Sequence, residues 1–391
     1  ENVRWKTALP GKGWSSPVIE GGQIWMTAAL EVEASEEEKK RRLEANTGSQ
    51  PLTVLDRATF HALGVDKESG ELLHNIELFA VEDPQWVHRF NSFASPSPVI
   101  ENGKVYCHFG TYGTACVDGE SGKVLWRNLE LHCMHENGPG SSPVLVGDKL
   151  VFHMDGSDEQ YVAALNKSDG TLAWRRDRSG EMHENPQLKK AYGTPLVVDG
   201  LLLSPGANWL YAYHPADGTE KWKVSYETLG FSNVARPVVG GGMLYLPTGF
   251  MNSEMLAIKL GEQPEIVWRY RKQVPKSPSP IYVDGLLYFV GDSGGLVTCL
   301  EAKSGERVWS ERIANGKYWS APLHAAGKIY FHGEDGTTTV LEAGRQFKVV
   351  AENKLDGKLM ASAAVDGNAL VLRTDQAVYR IENDAASGTK E

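Results

Sequence analysis

Two loops of this chain carry the same four residues, Met-His-Glu-Asn, at positions 134–137 and 182–185. Imidazole, carboxylate and amide groups side by side can hold a hydroxyl-rich ligand or a cation, and an imidazole can also act as a general base. The candidate binding residues in the two loops are His135, Glu136, Asn137, His183, Glu184 and Asn185. A site shared by both copies requires a fold that brings the loops together.

An upstream stretch, EDPQWVHRFNSFASP, adds four candidates, namely Trp86, His88, Arg89 and Asn91. Three imidazoles, with Glu136 or Glu184 as a fourth ligand or a general base, could bind a transition metal such as Zn or Mn. The candidate metal ligands are His88, His135, His183 and Glu136. Two alternatives stay open: a polar ligand bound without a metal, or repeats that diverged little and whose loops hydrogen-bond one another.

The scaffold for these loops is a repeat. One phrase recurs eight times, for example as SSPVIEGGQIWM, PSPVIENGKVYC and PSPIYVDGLLYF. Each copy reads as a strand, a Gly or Asp-Gly turn, and a second strand rich in β-branched and aromatic residues. The eight anchor positions are Pro17, Pro98, Pro143, Pro195, Pro237, Pro280, Pro322 and Ser362.

A second phrase follows the first, as in VDGESGKVLWRN and LEAKSGERVWSE, and adds a third strand, a Gly turn and a fourth strand with Trp. Four strands repeating about every 42 residues predict an all-β, eight-bladed β-propeller of four-stranded antiparallel blades. The N-terminal VRWKTALP reads as a lone fourth strand, which we expect to close the last blade. We expect the Trp residues at the motif position to pack between blades; they are Trp5, Trp126, Trp174, Trp222, Trp268 and Trp309.

These phrases resemble the PQQ-like, quinoprotein-type β-propeller repeat, whose A-x-D-x-x-[ST]-G-x-x-x-W pattern appears as LEAKSGERVW and CVDGESGKVLW. The resemblance covers nearly the whole chain, and the length is similar to that of the small, BamB-like eight-bladed members. The large quinoprotein dehydrogenases of the family use a vicinal Cys-Cys pair, which this chain lacks. Their calcium site uses Glu, Asn and Asp; Glu136, Asn137 and Asn185 are of the right types, but no Asp of this sequence can be matched to the catalytic one. The sequence therefore argues against PQQ as a cofactor and leaves Ca, Mn or Zn as candidate ions.

We expect one propeller domain over residues 1–384 and a flexible C-terminal tail over residues 385–391. Residues 30–52 interrupt blade 1 between its second and third strands, with an acidic start and a basic middle typical of a helix. This insertion is either a solvated helix or mobile loop, or a rim beside the channel mouth.

In a propeller, the connections from one blade to the next open onto the face that holds the channel mouth, and binding residues usually lie on such loops. Further candidates on these loops are Trp14, Asn233, Arg236, Lys317, Tyr318 and Trp319. Trp14, Trp86 and Trp319 fall outside the motif Trp positions. They could stack on a sugar ring or a flat cofactor, or they could plug the channel.

The formal net charge of −10 and the lack of a basic stripe argue against nucleic acid as a partner. No run of apolar residues is long enough for a transmembrane segment. We expect a monomer in its mature secreted or periplasmic form, with a signal peptide removed, although a trimmed chain would begin in the same way. Cys107 and Cys116 flank a predicted hairpin and either form a disulfide or are small buried side chains.

Two function classes remain. The first is an extracytoplasmic ligand-binding or protein-assembly module, with a polar and aromatic site at the channel mouth for a protein partner or a carbohydrate-like small molecule. The second is a carbohydrate-active lyase or hydrolase with a His base, with or without a metal ion, and with Arg89 or Arg236 to neutralise a carboxylate. The sequence leaves open whether the protein is an enzyme.

Overall fold

The computed structural model of the chain describes residues 2–44, 46 and 50–383. These residues form eight four-stranded sheets, a two-stranded ribbon, one α-helix and two short 3-10 helices. Neighbouring strands are antiparallel within each sheet, so the predicted all-β, eight-bladed propeller is confirmed. The tail predicted for residues 385–391 lies outside the described residues.

The blades follow one another along the chain, and each contributes its strands in sequence order. The strands of blades 1 to 4 are Val18–Glu20, Gln23–Glu33, Leu55–Asp66 and Leu72–Glu82; Val99–Glu101, Lys104–His108, Thr114–Asp118 and Val124–Asn128; Val144–Val146, Lys149–Asp155, Gln160–Asn166 and Leu172–Asp177; and Leu196–Val198, Leu201–Pro205, Trp209–Tyr213 and Glu220–Ser225.

The remaining blades repeat this plan, and the last one takes its fourth strand from the N-terminus. The strands of blades 5 to 8 are Val238–Gly240, Met243–Pro247, Met255–Lys259 and Glu265–Tyr270; Ile281–Val283, Leu286–Val290, Leu296–Glu301 and Arg307–Arg312; Leu323–Ala325, Lys328–His332, Thr337–Glu342 and Val349–Lys354; and Ala364–Asp366, Ala369–Arg373, Ala377–Ile381 and Val3–Ala8.

The first strand of each blade is three residues long and faces the central channel. First strands contact each other in several pairs of neighbouring blades, and the contact between Val18–Glu20 and Ala364–Asp366 joins blade 1 to blade 8. The hydrophobic core lies in layers between adjacent blades. Phe60 of blade 1, for example, packs on Phe109 and Tyr112 of blade 2 with ring centroids 5.1 and 4.9 Å apart.

The N-terminal strand closes the ring, as predicted. Val3 pairs with Ile381 and Ala8 pairs with Ala377, so Val3–Ala8 is the outer strand of blade 8. Two segments that are far apart in the chain thus share one sheet. The strand Ala377–Ile381 is therefore paired along both of its edges.

The motif Trp residues join each blade to the next. The indole N–H of Trp126 in blade 2 donates to the carbonyl of Lys167 in the third-to-fourth-strand turn of blade 3, at 2.9 Å. Its ring lies on Gly170, where a β-carbon would come within 2.4 Å of it. Equivalent N–H bonds join Trp5 to Lys67, Trp174 to Pro215, Trp268 to Ala302 and Trp309 to Gly344. Interblade packing of this Trp, predicted from the repeat, is confirmed for these residues.

Cys107 and Cys116 do not form the disulfide that was one alternative from sequence. All four cysteines are free and buried. The register pairs Cys107 with Ala115 and Cys116 with Tyr106, one position apart, so the two thiols lie on opposite faces of the sheet. Cys107 packs in the core towards blade 1 and Cys116 in the core towards blade 3. The other alternative, small buried side chains, is correct.

The insertion in blade 1 contains the α-helix Glu36–Leu43, capped by the Ser35 hydroxyl, which accepts from the Glu38 amide at 3.2 Å. Glu36, Glu37 and Glu38 lie in its first turn and basic residues in its last, which complements the helix dipole. The insertion then returns through Leu52–Thr53, which pairs with Val87–His88. It therefore lies against the loop that leads into blade 2.

Candidate functional site

The channel mouth holds a cavity of about 950 Å³. Residues from the loops between blades line it, together with Gln50 of the insertion and Phe250 and Met251 from a loop within blade 5. The loops between blades and the loops between the second and third strands of a blade thus reach the same face, as the blade geometry predicts.

A ring of hydroxyl groups encircles the channel inside this cavity. In each contact, a backbone N–H of one blade donates to the Ser or Thr hydroxyl at the equivalent position of the next blade, at 2.8 to 3.1 Å. The six bonds run from Ser16 to Ser97, Ser97 to Ser142, Ser142 to Thr194, Arg236 to Ser279, Ala321 to Ser362 and Ser362 to Ser16. Since each hydroxyl oxygen accepts from the scaffold, its O–H can donate to a ligand in the channel.

Two of the eight ring positions carry no hydroxyl. Position 236 is Arg and position 321 is Ala, which interrupts the ring between blades 4 and 5 and between blades 6 and 7. Arg236 lines the cavity at its ring position. At this position a guanidinium group thus takes the place of the hydroxyl that most other blades contribute to the ring.

Aromatic side chains cross the mouth. Phe90, from the loop between blades 1 and 2, stacks on Trp319, from the loop between blades 6 and 7, with centroids 5.1 Å apart and planes at 18°. The ring of His88 lies 4.0 Å from that of Phe90. Trp14 donates its indole N–H to the Phe90 carbonyl at 2.9 Å. Three loops from distant parts of the chain are thus held together over the channel.

The structure places the predicted residues in two groups. Those that line the cavity are Trp14, His88, Asn91, Asn137, Arg236 and Trp319. Those on the same loops that do not line it are Trp86, Arg89, His135, Glu136, His183, Glu184, Asn185, Asn233, Lys317 and Tyr318.

His135 is a buried scaffold residue. Its side chain accepts the Thr111 amide at 3.1 Å through Nε2, and its carbonyl accepts the Tyr192 hydroxyl at 2.7 Å. Gly110 makes this approach possible, because a β-carbon there would lie 2.2 Å from the imidazole Nε2. Burial lowers the pKa of His135 to about 4, so the imidazole is neutral at physiological pH.

The second Met-His-Glu-Asn loop has a different conformation. His183 is exposed, and its Nδ1 accepts the Asn185 amide at 3.0 Å. The Asn185 side chain in turn accepts the Gln187 amide at 3.0 Å and caps the 3-10 helix Pro186–Leu188. The two imidazoles therefore occupy different environments, one inside the scaffold and one in solvent.

The two loops nevertheless meet, through Glu136 rather than through the histidines. Glu136 accepts from Lys190 Nζ at 2.8 Å and from Gln187 Nε2 at 2.6 Å, and Asn137 donates to the Tyr192 hydroxyl at 3.1 Å. Burial acts to raise the pKa of Glu136, but the hydrogen bond and charge of Lys190 outweigh it and lower that pKa. This buried ion pair ties the loop between blades 2 and 3 to the loop between blades 3 and 4.

The proposed metal ligands His88, His135, His183 and Glu136 are not assembled into a site. Within residues 2–44, 46 and 50–383, no three His, Cys, Asp or Glu side chains are arranged to hold a metal ion. His135 points into the scaffold and His183 into solvent, so the shared histidine site expected from the repeat does not form.

Asn233 and Tyr318 are also scaffold residues. Asn233 is fully buried and donates to the Gly206 carbonyl at 3.2 Å and to the Tyr226 hydroxyl at 3.1 Å. Tyr318 is 1% exposed, and its amide donates to the Asp292 carbonyl at 3.0 Å. Their loop positions were predicted, but their side chains support the mouth instead of facing it.

The hydroxyl ring was missed from the sequence, although its signal was present. Ring residues such as Ser16, Ser97 and Ser142 immediately precede the anchor prolines. Because a residue before proline is held extended, the seven blades with an anchor proline present this side chain in the same way. In blade 8, Ser362 takes the ring position and Ala363 the anchor position, so the expected anchor Ser362 was one residue out of register. Alignment of the repeats at their prolines would have exposed both the ring and its replacement at Arg236.

The part of the chain that the structure describes contains no helix long and apolar enough to cross a bilayer.

A model of the family described as outer membrane protein assembly factor BamB matches residues 115–263 and 261–376. The outer membrane protein assembly factor BamB of Yersinia pestis is 26% identical to the chain over 244 residues, which are 58% of this chain and 58% of that protein. The chain thus spans less than two thirds of the length of this relative.

Two solved structures have a similar fold. The crystal structure of BamB from Moraxella catarrhalis superposes with a TM-score of 0.59 at 12% identity, covering 84% of this chain and 93% of that one. A europium-containing methanol dehydrogenase superposes with a TM-score of 0.68 at 11% identity, covering 96% and 85%. At these identities the likeness shows the fold alone.

Proposed function

The chain belongs to the family of outer membrane protein assembly factor BamB, and from that membership we propose that it is an extracytoplasmic β-propeller module that binds a protein partner in outer-membrane protein assembly. The binding surface is the face that holds the channel mouth.

The exposed apolar rim of the mouth carries this proposal. Phe90 is 41% exposed, Val234 38% and Met251 80%, and all three line the cavity. They come from three separate loops that the closed ring holds in place. Exposed apolar side chains grouped around an opening are typical of protein-interaction sites.

An extracytoplasmic location, in the periplasm, follows from the proposed role, because outer-membrane proteins are assembled on the far side of the inner membrane. The acidic net charge agrees with a protein partner better than with nucleic acid or anionic lipid.

No observation favours the carbohydrate-active alternative. Its base would be a histidine at the mouth, but His135 is buried behind the cavity wall and His183 does not line the cavity. His88 does line it, without a carboxylate among its described hydrogen-bond partners.

Deletion of the gene in the organism that encodes the protein tests the proposal. The amounts of folded outer-membrane proteins should fall, measured by quantitative mass spectrometry of the outer-membrane fraction, and the wild-type gene should restore them. Phe90→Ser and Met251→Ser variants should restore them only in part. Leu125→Ser, which removes an exposed apolar side chain on an outer strand, is the matched control. Unchanged outer-membrane proteins after deletion would exclude the assembly role, and full restoration by the rim variants would exclude the mouth.

A further inference from the structure

We propose that the channel mouth receives an acidic segment of the partner protein, with a carboxylate bound inside the cavity and a neighbouring apolar side chain held at its rim. This inference rests on the proposed function and adds the chemistry of the partner.

The charge of the cavity runs against that of the whole chain. Three lining residues are cationic, namely Lys190, Arg236 and Lys276, and no Asp or Glu of the described residues lines it. The chain as a whole has a formal net charge of −10. A cavity whose charged lining residues are all cationic has a positive electrostatic potential, which attracts anionic groups.

Two of the three cations have no anionic partner. Glu136 neutralises Lys190 at 2.8 Å, whereas Arg236 and Lys276 make no ion pair with any described residue. The Lys276 ammonium lies 5.6 Å from the centre of the Phe250 ring. Burial lowers the pKa of Arg236, yet a guanidinium stays charged in proteins. An unpaired, partly desolvated Arg is therefore available to bind a carboxylate through two N–H groups.

The hydroxyl ring adds neutral donors beside these cations. Ser279 lies next to Arg236 in the ring and accepts its amide at 2.9 Å, which leaves the Ser279 O–H free to donate into the channel. Cationic and hydroxyl donors on one side of the cavity are the set that a carboxylate requires, since an ionised carboxylate only accepts.

The rim favours a protein segment over a small anion. Phe90, Val234 and Met251 are exposed around the opening, and an ion bound at Arg236 would leave them uncovered. A segment that carries an acid beside an aromatic or aliphatic residue covers both regions. The partly exposed stack of Phe90 on Trp319 gives such a side chain an aromatic surface.

The test uses the full chain and three synthetic peptides, each of eight alternating residues: Glu and Phe, Gln and Phe, or Lys and Phe. In isothermal titration calorimetry, the Glu peptide should bind at least about tenfold more tightly than the Gln peptide, because a charge-assisted hydrogen bond is lost. Binding of the Glu peptide should weaken as salt is added, and the Lys peptide should not bind.

Variants locate the site. Arg236→Ser and Lys276→Gln should each weaken the Glu peptide about tenfold and leave the Gln peptide unchanged. Lys317→Gln, an exposed cation on the same face that does not line the cavity, should leave both unchanged. Circular dichroism melting checks that each variant is folded. If the Arg236 variant is unfolded, the Lys276 variant alone tests the site.

Equal affinity for the Glu and Gln peptides would overturn the inference, and so would an equal effect of Lys317→Gln. If citrate bound as tightly as the Glu peptide, the ligand of the cavity would be a small anion and not a segment of a partner protein. A deletion phenotype without any preference for the Glu peptide would reject this inference alone. If the amounts of folded outer-membrane proteins did not change on deletion of the gene, the proposed function itself would be rejected.

Discussion

The indole of Trp5 lies directly against Gly70. A β-carbon on Gly70 would come within 2.6 Å of the Trp5 ring, and the indole N–H donates to the Lys67 carbonyl at 3.1 Å. Trp5 belongs to the last blade and Gly70 to the first, so this contact joins the two ends of the ring.

Removal of the closing strand should destabilise the propeller. Deletion of residues 1–9 takes away the outer strand of blade 8 together with the Trp5 contact, and it exposes the edge at Ala377–Ile381. We expect the melting temperature to fall by several degrees, measured by calorimetry. An unchanged melting curve would mean that closure by this strand contributes nothing to stability.

The contact itself can be separated from backbone strain. Gly70 and Gly103 have similar φ angles, +77° and +73°, but a β-carbon at Gly103 meets nothing within 4 Å. Gly103→Ala should therefore cost only the left-handed backbone term, about 1–2 kcal/mol. Gly70→Ala should cost a further 1–3 kcal/mol or so, because the Trp5 ring must move. Equal losses in urea unfolding would show that the ring is free to shift.

A buried motif Trp should contribute far more than its hydrogen bond. Trp309 is 9% exposed and donates to the Gly344 carbonyl at 3.2 Å. Trp309→Ala should cost about 3–5 kcal/mol and Trp309→Phe clearly less, because Phe keeps most of the packing. Trp222, which is only partly buried, should cost less than Trp309 on replacement by Ala. A loss below about 1 kcal/mol for Trp309→Ala would mean that the motif Trp is not core.

Buried histidines should make the protein sensitive to mild acid. Burial alone lowers the pKa of His332 to about 4, and its Nδ1 lies 2.9 Å from the Thr338 hydroxyl. In the unfolded chain the same group titrates near 6.5. The unfolded state therefore binds the proton first, and the stability that is fully present above about pH 6.5 falls as the pH drops towards 4.

His332→Gln removes this titration. Between pH 7 and pH 5 the wild type should lose up to about 1.4 kcal/mol per unit below pH 6.5 through His332, and the variant should lose that much less. Thr339→Val, a buried change in the neighbouring strand Thr337–Glu342 that titrates nothing, should keep the wild-type pH dependence. The same dependence in all three proteins would show that His332 is protonated without unfolding.

The repeat made the fold predictable, but it did not make the loops predictable. Trp5 at the motif position and the eight anchors were enough to predict the ring and its closure, because both depend on contacts that every blade repeats. His135 and His183 share their neighbours in sequence and still differ in burial. His135 packs on Gly110 of its own blade, while His183 precedes the 3-10 helix that starts at Pro186. The four repeated residues do not determine either environment.

The ion pair between Glu136 and Lys190 should depend on both partners. Their side chains are 14% and 4% exposed, so loss of one leaves the other charge buried. Glu136→Gln should cost about 3–5 kcal/mol, and the double variant Glu136→Gln with Lys190→Met should recover part of that loss. A double-mutant cycle in urea measures the coupling. Additive losses would show that the pair does not stabilise the junction between the loops.

Completion of the hydroxyl ring at Arg236 should raise stability. At six ring contacts an amide donates to a Ser or Thr of the next blade, but Arg236, which follows Thr194 around the ring, offers no hydroxyl. Arg236→Ser should restore the contact and be about 0.5–1.5 kcal/mol more stable than Arg236→Ala, the matched control with no hydroxyl.

The second gap gives an independent check, because Ala321→Ser should provide the same bond to the Ser279 amide and gain a similar amount. If Arg236→Ser also loses affinity for the Glu peptide while it gains stability, position 236 gives up a scaffold contact in exchange for a binding cation, as functional sites commonly do. A serine at 236 that is no more stable than alanine in thermal unfolding would mean that the ring does not stabilise the propeller, and that its interruption needs no functional reason.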